Sequence, residues 1–228
     1  MDPIAIATLL AIILGVVQYF GENICMVCGH YYKHAISFSA GVAITYLFLD
    51  LFPSFSVEVI NTNQFLFIFL LVGFVIFHLV EKYIYQHSKG GVLEKRLGIE
   101  NQVLSFIYHF ILGVIIVDFS RQGFQEVILL FIPIVIFTAV GTLPVSQHPS
   151  KKVNFIVSLS ILLGVLFAGF VYPDISVDIQ TALLGVVIGG LFFSVIRHSL
   201  PMGKEGKPMS FIIGIVIYAP IIILSWVV

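Results

Sequence analysis

The chain has 228 residues, of which 10% are charged and 59% hydrophobic, and its net charge is −1 at pH 7. A soluble domain carries about 25% charged residues, so this composition, with a mean hydropathy of +1.10, excludes a cytosolic enzyme. A nucleic-acid binder is excluded too, since it needs a basic surplus, and two cysteines cannot build a disulfide scaffold. We therefore predict an all-α integral membrane protein.

Eight apolar segments are long enough to cross a bilayer, which takes about 20 helical residues. In lipid the backbone must satisfy its own hydrogen bonds, and the alternating ten-residue segments typical of a membrane β-barrel do not occur. The segments form a single transmembrane domain over 1–228. In chain order the predicted spans are 3–20, 35–52, 63–82, 103–119, 126–145, 153–172, 179–199 and 210–227.

The basic residues predict the orientation of these spans. Ten of the eleven lysines and arginines follow spans 1, 3, 5 and 7, whereas Arg121 alone follows spans 2, 4 or 6. Basic loops stay in the cytoplasm, so we expect a multi-pass cell-membrane protein with both termini extracytoplasmic and the long loop 83–102 cytoplasmic. The first segment lacks the basic start and cleavage site of a signal peptide, so we expect it to remain as a span.

Spans 2 and 7 share a spaced pattern. In span 2, Gly41 precedes the ionisable Asp50 by nine positions, and a proline follows three residues later; Gly189 and His198 repeat this spacing in span 7. Because the two spans run in opposite directions, the pattern predicts an inverted repeat of helices 1–3 and 6–8 around helices 4–5, a plan typical of secondary transporters. The alternative is chance, since glycine and proline are frequent near helix ends.

Three stretches carry a family resemblance: the exit of span 2 at 39–53, the span 3 segment 72–82 followed by His87, and the short Pro/Gly/Lys loop before span 8. In these stretches the chain resembles the ZIP (ZRT/IRT-like) divalent metal transporters. The resemblance covers essentially the whole chain. It implies eight helices with outward termini, zinc or another divalent cation as the transported ion, and a homodimer.

The fourth and fifth helices depart from the family pattern. In the family they carry His-Asn-x-Pro-Glu-Gly and His-x-x-Pro-Glu motifs, which build a metal site in the middle of the membrane. Here 108–113 reads Tyr-His-Phe-Ile-Leu-Gly and 141–145 reads Gly-Thr-Leu-Pro-Val. Only Gly113 of the first motif and the proline of the second are kept, with Leu112 in place of the glutamate. The resemblance thus implies a divergent member with degraded metal motifs, for which ordinary zinc uptake does not follow.

Within span 4, His109 is the strongest candidate metal ligand, since neutral imidazole is a common donor. The neighbouring Tyr108 is a weaker donor. The alternative for His109 is a structural hydrogen bond to a neighbouring helix. Asp118 lies nine residues further along span 4, where we expect it to mark the outer mouth or to pair with Arg121.

Asp50 and His198 are predicted at opposite ends of the pathway. An ionisable group in a span is by default a functional candidate, so we expect Asp50 to attract a cation outside and His198 to receive it inside. The alternatives are a carboxylate in the headgroup zone for Asp50 and a solvated helix end for His198.

A possible second metal cluster follows span 1 on the cytoplasmic side. Cys25 and Cys28 have the spacing of soft-metal ligands, and His30 and His34 lie four residues apart, so all four could hold one ion. The alternative is a pair of unrelated thiols near surface histidines.

The function that these patterns predict is a divergent ZIP-like transporter that moves a divalent cation by alternating access. The alternative is a transport-inactive scaffold or metal sensor with the same fold. No HExxH or Gly-x-Ser-x-Gly motif appears, so we predict no enzymatic activity, and we expect no resident cofactor. The expected partners are the lipid bilayer and the ion. Small residues predict close helix contacts at Gly164, Ala168, Gly169, Gly185, Gly189 and Gly190.

Overall fold

A computed structural model describes residues 2–28, 31–140, 151–196 and 206–227, without the side chains of 22–28, 94, 101 and 151. All elements in these ranges are helical. A π turn at Leu47–Leu51 joins α2 to α3, a second at Phe167–Val171 ends α7, and a 3₁₀ turn at Gln64–Leu66 precedes α4. The α-helices are α1 Pro3–Cys28, α2 Tyr32–Tyr46, α3 Phe52–Thr62, α4 Phe67–His87, α5 Gly90–Gln122, α6 Phe124–Val140, α7 Lys151–Leu166, α8 Val177–Ser194 and α9 Pro208–Ser225.

Seven helical segments of the described chain are long and apolar enough to cross a membrane. The eighth, α6, is apolar but has 17 described residues, because its predicted continuation at 141–145 lies outside the described residues. The prediction of an all-α, multi-pass membrane protein is therefore confirmed, while the count of eight spans stays a prediction.

The helices extend beyond the predicted spans. The helix that contains span 1 continues past the predicted end of the span at residue 20, since α1 ends at Cys28. The predicted loop 83–102 is helical except for Ser88 and Lys89. Hydropathy locates the part of a helix that lies in lipid, not its ends, and lysine, arginine and glutamate favour helix as strongly as leucine does. The hairpin between α4 and α5 is closed by Arg96, which donates to the Ser88 hydroxyl at 3.1 Å.

Span 2 was predicted to end at residue 52, just before Pro53, but α3 carries the helix on to Thr62. A proline inside a regular α-helix clashes with the carbonyl four residues before it. Here the wider π turn precedes Pro53, and the Phe52 N–H donates to the Leu47 carbonyl, five residues back. The π turn admits the proline ring without ending the helix.

Three helix pairs cross at facing glycines. In every pair, a Cβ atom on either glycine would overlap the carbonyl oxygen of the residue three before the opposite glycine. Such backbone-to-backbone contact requires small residues, so the predicted close contacts at Gly164 and Gly189 are confirmed. The pairs are Gly41 with Gly214 (α2 and α9), Gly73 with Gly189 (α4 and α8), and Gly113 with Gly164 (α5 and α7).

Contacts further along the first two pairs show that the helices of each pair run parallel. Beyond their glycine crossing, α2 and α9 bring the rings of Tyr46 and Tyr218 to 6.4 Å, and α4 and α8 bring Phe77 within 6.1 Å of Phe193. In contrast, α1 and α7 are antiparallel, because Gly15 lies against Ser158 while Ile4 lies near Gly169.

The start of α1 and the end of α9 lie at the same end of the bundle. There Ile4 packs near the end of α7, Arg121 donates to the Pro173 carbonyl at 2.9 Å, and Gln125 donates to the Ser225 carbonyl at 3.3 Å. We call this the terminal end. The opposite end holds the α4–α5 hairpin and the starts of α2 and α9, which His34 and Ser210 join at 2.8 Å.

Candidate functional site

His109 is buried in α5, one turn before the Gly113 crossing, with 6% of its surface exposed. Its Nδ1 lies 2.7 Å from the Ser105 carbonyl oxygen, which fixes Nδ1 as the protonated nitrogen because a carbonyl only accepts. The Nε2 atom then keeps its lone pair, and it is buried with no hydrogen-bond partner among the described residues. Imidazole ligands of metals commonly have this arrangement, with the other ring nitrogen bonded to a backbone carbonyl.

Apart from Ser105, whose hydroxyl lies 3.1 Å from Nδ1, the neighbours of His109 named here are aromatic or apolar. Tyr108 is half-buried, with its ring edge-on to the imidazole at a centroid distance of 5.6 Å. Leu112 is fully buried at the position of the carboxylate in the resembled motif. The Nε2 atom is thus oriented as a ligand would be, but the helix itself supplies no second strong donor.

Asp50 lies in the π turn between α2 and α3, at the terminal end, and is half-buried. Its carboxylate interacts electrostatically with Tyr46, four residues before it, and with Glu126 on the first turn of α6. Tyr218 of α9 lies in the same region and donates its hydroxyl to the Leu129 carbonyl at 2.7 Å. Asp50 therefore lies where α2, α6 and α9 meet.

Asp118 is half-buried near the end of α5. Its carboxylate accepts from the Gln122 side chain at 3.1 Å, and Arg121 and Glu58 lie within electrostatic range. Arg121 gives its hydrogen bond to Pro173 rather than to Asp118. Since these neighbours are at the terminal end, the residue has the surroundings of an interfacial carboxylate.

The proposed cytoplasmic cluster is described at one member only. His34 shares a 2.8 Å hydrogen bond with Ser210, which joins the starts of α2 and α9. The side chains of Cys25 and Cys28, and all of His30, lie outside the described residues, as does His198.

In the described part of the chain, no three His, Cys, Asp or Glu side chains converge as a metal site. His109 is hydrogen-bonded within its own helix, whereas Asp50 interacts with α2 and α6, and no described polar contact joins them. The sequence analysis missed Tyr46, Glu126 and Tyr218. Tyr46 could have been identified from the sequence, because it lies one turn before Asp50 on the same helix face. The approach of Glu126 and Tyr218 depends on helix packing.

Comparison with family models gives no match for this chain, and comparison with curated proteins gives none either. The resemblance to the ZIP transporters therefore stays a prediction. The described helices themselves offer two polar regions for a function, one around His109 and one around Asp50.

Proposed function

We propose that the chain is a divergent ZIP-like carrier that moves a divalent cation across the membrane by alternating access. The observation that carries this proposal is a mirrored packing of the helices. Internal inverted repeats, with a substrate site near the middle of the membrane, are the common plan of secondary transporters. His109 is the residue that we propose to contact the ion inside the bundle.

The mirrored packing is seen by exchanging the two predicted halves. The exchange relates α1 to α7, α2–α3 to α8, and α4 to α9. Under this exchange, the crossing of α2 with α9 corresponds to the crossing of α8 with α4. Both crossings occur, and in both the two glycines face each other in the same register. The glycine of α2 in this register is Gly41, and that of α8 is Gly189, the two that the sequence pattern matched.

The directions of the helices also support an inverted repeat. Phe192 of α8 contacts Phe48 and Phe52, whereas the earlier Gly185 lies against Phe55. Thus α8 runs antiparallel to α2–α3, as a twofold axis in the membrane plane requires. The antiparallel contact between α1 and α7 agrees with the same axis, since these two helices exchange with each other.

The π turns add a local match between the halves. One begins at Leu47, six residues before Pro53, and a π-type turn directly after α8 begins at Val195, six residues before Pro201. A proline without its N–H favours such a turn on its N-terminal side, so the repeated spacing supports a shared origin of the two segments.

Alternating access requires two parts of the bundle that can move relative to each other. We propose that α1, α5, α6 and α7 form one part and that α2–α3, α4, α8 and α9 form the other. Each glycine crossing lies within one part, and the two parts meet chiefly where α2 packs against α6. His109 belongs to the first part and Asp50 to the second. A shift of one part past the other would carry an ion held by His109 away from the terminal end.

The proposal is tested by uptake of Zn²⁺, Co²⁺ and Mn²⁺ into vesicles that contain the purified chain. We expect His109→Ala to reduce uptake at least tenfold, because it removes the buried donor. The matched control is His87→Ala. His87 is exposed, and its Nδ1 also lies 2.9 Å from the carbonyl oxygen of the residue four positions before it. Equal uptake by both variants would reject the role of His109, and no uptake by the native chain would reject transport.

A transport-inactive scaffold or metal sensor is the second candidate function. It is favoured by Leu112, which fills the ligand position with a fully buried apolar side chain, and by the lack of a three-donor site in the described part of the chain. Titration calorimetry separates a sensor from a scaffold when uptake is absent. A sensor binds Zn²⁺ or Co²⁺ through His109, and a scaffold binds neither.

A further inference from the structure

Four side chains from three helices form a polar cluster at the terminal end of the bundle. Tyr46 and Asp50 come from α2 and its π turn, Glu126 from α6, and Tyr218 from α9. The rings of Tyr46 and Tyr218 lie 6.4 Å apart, and Asp50 follows Tyr46 by one helical turn. Glu126 lies about one turn before Leu129, whose carbonyl accepts from Tyr218, and it is within electrostatic range of Asp50. We call these four residues the tyrosine–carboxylate cluster. It is distinct from the His109 region, since none of its members belongs to α5.

The charge of the cluster is uncompensated. Asp50 and Glu126 are both carboxylates within electrostatic range, and no described lysine or arginine forms an ion pair with Asp50. Two like charges near a membrane interior are costly unless one carboxylate is protonated or a cation lies between them. The pair therefore favours a bound positive charge.

Burial increases through the cluster from the outside inward. Glu126 is exposed, Asp50 is half-buried, and Tyr46 is fully buried. A cation that arrives from the water at the terminal end meets Glu126 first and Asp50 next. This order is the one expected for an entry site that removes water from an ion stepwise.

The Tyr46 hydroxyl is the second, independent sign of a ligand. The side chain has 0% exposure, and its hydroxyl has no hydrogen-bond partner of adequate geometry among the described residues, although the Asp50 carboxylate is close enough for a hydrogen bond of poorer geometry. A buried hydroxyl without a well-formed hydrogen bond is destabilising. Tyr218 is different, because it donates to the Leu129 carbonyl at 2.7 Å. The missing partner thus distinguishes Tyr46, whose hydroxyl lies beside the carboxylates.

We propose that the tyrosine–carboxylate cluster binds a hard divalent cation, of the Mn²⁺ or Mg²⁺ class, through oxygen ligands. All its donors are carboxylate or phenol oxygens, which suit Mg²⁺, Ca²⁺ and Mn²⁺, whereas zinc favours imidazole and thiolate. In this site Asp50 and Glu126 hold the ion, and Tyr46 contributes its oxygen or binds a water on the ion. The inference rests on the proposed transport function, for which the cluster is the entry site.

The experiment is a Mn²⁺ titration of the purified chain in detergent, with free Mn²⁺ measured by electron paramagnetic resonance. We expect Asp50→Asn to weaken binding at least tenfold, and Tyr46→Phe, which removes one oxygen only, to weaken it about threefold to tenfold. The control is Glu58→Gln, which removes a carboxylate of α3 outside the cluster. It should bind Mn²⁺ as the native chain does.

Competition identifies the preferred ion. An equal concentration of Mg²⁺ or Ca²⁺ should displace more Mn²⁺ from the native chain than from Asp50→Asn. The inference is overturned if the native chain binds no Mn²⁺, or if Glu58→Gln weakens binding as much as Asp50→Asn does. It is also overturned if neither Mg²⁺ nor Ca²⁺ displaces Mn²⁺ from the native chain even in large excess.

This outcome is separable from failure of the proposed function. Uptake that depends on His109, with no Mn²⁺ bound at the cluster, rejects the entry site and leaves the carrier in place. Mn²⁺ binding that depends on Asp50, with no uptake of any ion, supports the site and rejects transport.

Discussion

Each of the two polar regions of the molecule contains a buried polar atom without a described hydrogen-bond partner. The regions differ in the groups that surround this atom. At His109 one ring nitrogen is bonded to Ser105 and the other is buried without a partner in the described part of the chain, among neighbours that include the fully buried Leu112. At the terminal end, the Tyr46 hydroxyl, which also lacks a described partner, lies beside two carboxylates. The first region offers one nitrogen donor, and the second offers several oxygen donors.

This difference shows that one chain can present different ligand chemistry at different depths. A soft or borderline ion is favoured by imidazole, and a hard ion by carboxylate and phenol oxygens. The His109 region is built within one helix, whereas the tyrosine–carboxylate cluster needs α2, α6 and α9 to stay packed together. Mutations that disturb packing should therefore affect the two regions separately.

The largest effect is expected from filling a glycine crossing. Gly113→Leu next to the His109 region, or Gly41→Leu near the cluster, forces a side chain against backbone on the facing helix. We expect a loss above the ~1–3 kcal/mol typical of overpacking, because backbone on both sides prevents repacking. Thermal unfolding in detergent measures it.

Gly91→Leu is the control for both glycine variants, because a Cβ atom there meets nothing within 4 Å in the described chain. It should unfold within a few degrees of the native chain. A native-like midpoint for Gly113→Leu or Gly41→Leu would contradict the described crossing.

The next effect comes from restoring a carboxylate beside His109. Leu112→Glu places a charge on the same helix face three residues away, in a site that is fully buried. An unpaired buried charge costs about 3–5 kcal/mol, so we expect a strong loss of stability without metal. Addition of Zn²⁺ should recover part of it, because His109 Nε2 and the new carboxylate can share one ion.

The volume-conserving Leu112→Met serves as its control, with an expected cost below about 1.5 kcal/mol and no response to Zn²⁺. Recovery by Zn²⁺ that persists in the double variant Leu112→Glu/His109→Ala would show that Nε2 does not contact the ion.

Composition and apolar runs were sufficient to predict the membrane class and the position of most helices. They also predicted the close contacts at Gly164 and Gly189, since small residues in spans have few other roles. They did not reveal that Gly113 and Gly73 are the facing partners. Partner choice depends on the crossing of whole helices, which a single sequence pattern does not encode.

The site was predicted less completely than the fold, for a physical reason. Asp50 and His109 stand out because ionisable groups are rare in spans. Tyr218 reads as an ordinary aromatic residue of span 8, and only the parallel packing of α2 and α9 brings its ring near Tyr46. Helix ends were misjudged where charged residues such as Arg96 continue α5 beyond the apolar part.

A smaller effect should distinguish the two tyrosines of the cluster. In metal-free protein we expect Tyr46→Phe to stabilise the fold by about 1 kcal/mol, because it removes an unsatisfied buried hydroxyl. Tyr218→Phe should destabilise it by about 1 kcal/mol or more, since the Leu129 carbonyl loses its donor. Equilibrium unfolding in SDS–detergent mixtures, with chelator present, measures both.

The two variants are controls for each other, because each removes one oxygen from a ring of the same size. A destabilising Tyr46→Phe in the absence of metal would mean that the hydroxyl has a partner in the protein. The cluster would then lack its independent sign of a ligand.

The smallest effect is expected outside both regions, at Arg121. Its side chain is exposed and donates to the Pro173 carbonyl at 2.9 Å, which links the end of α5 to the segment after α7. We expect Arg121→Gln to cost about 0.5 kcal/mol or less, as for most surface polar contacts, and to leave Mn²⁺ binding and His109-dependent uptake unchanged. If this variant lost uptake at native stability, the pathway would extend to the end of α5. Asp118 lies there and accepts a hydrogen bond from the Gln122 amide, one helical turn further along.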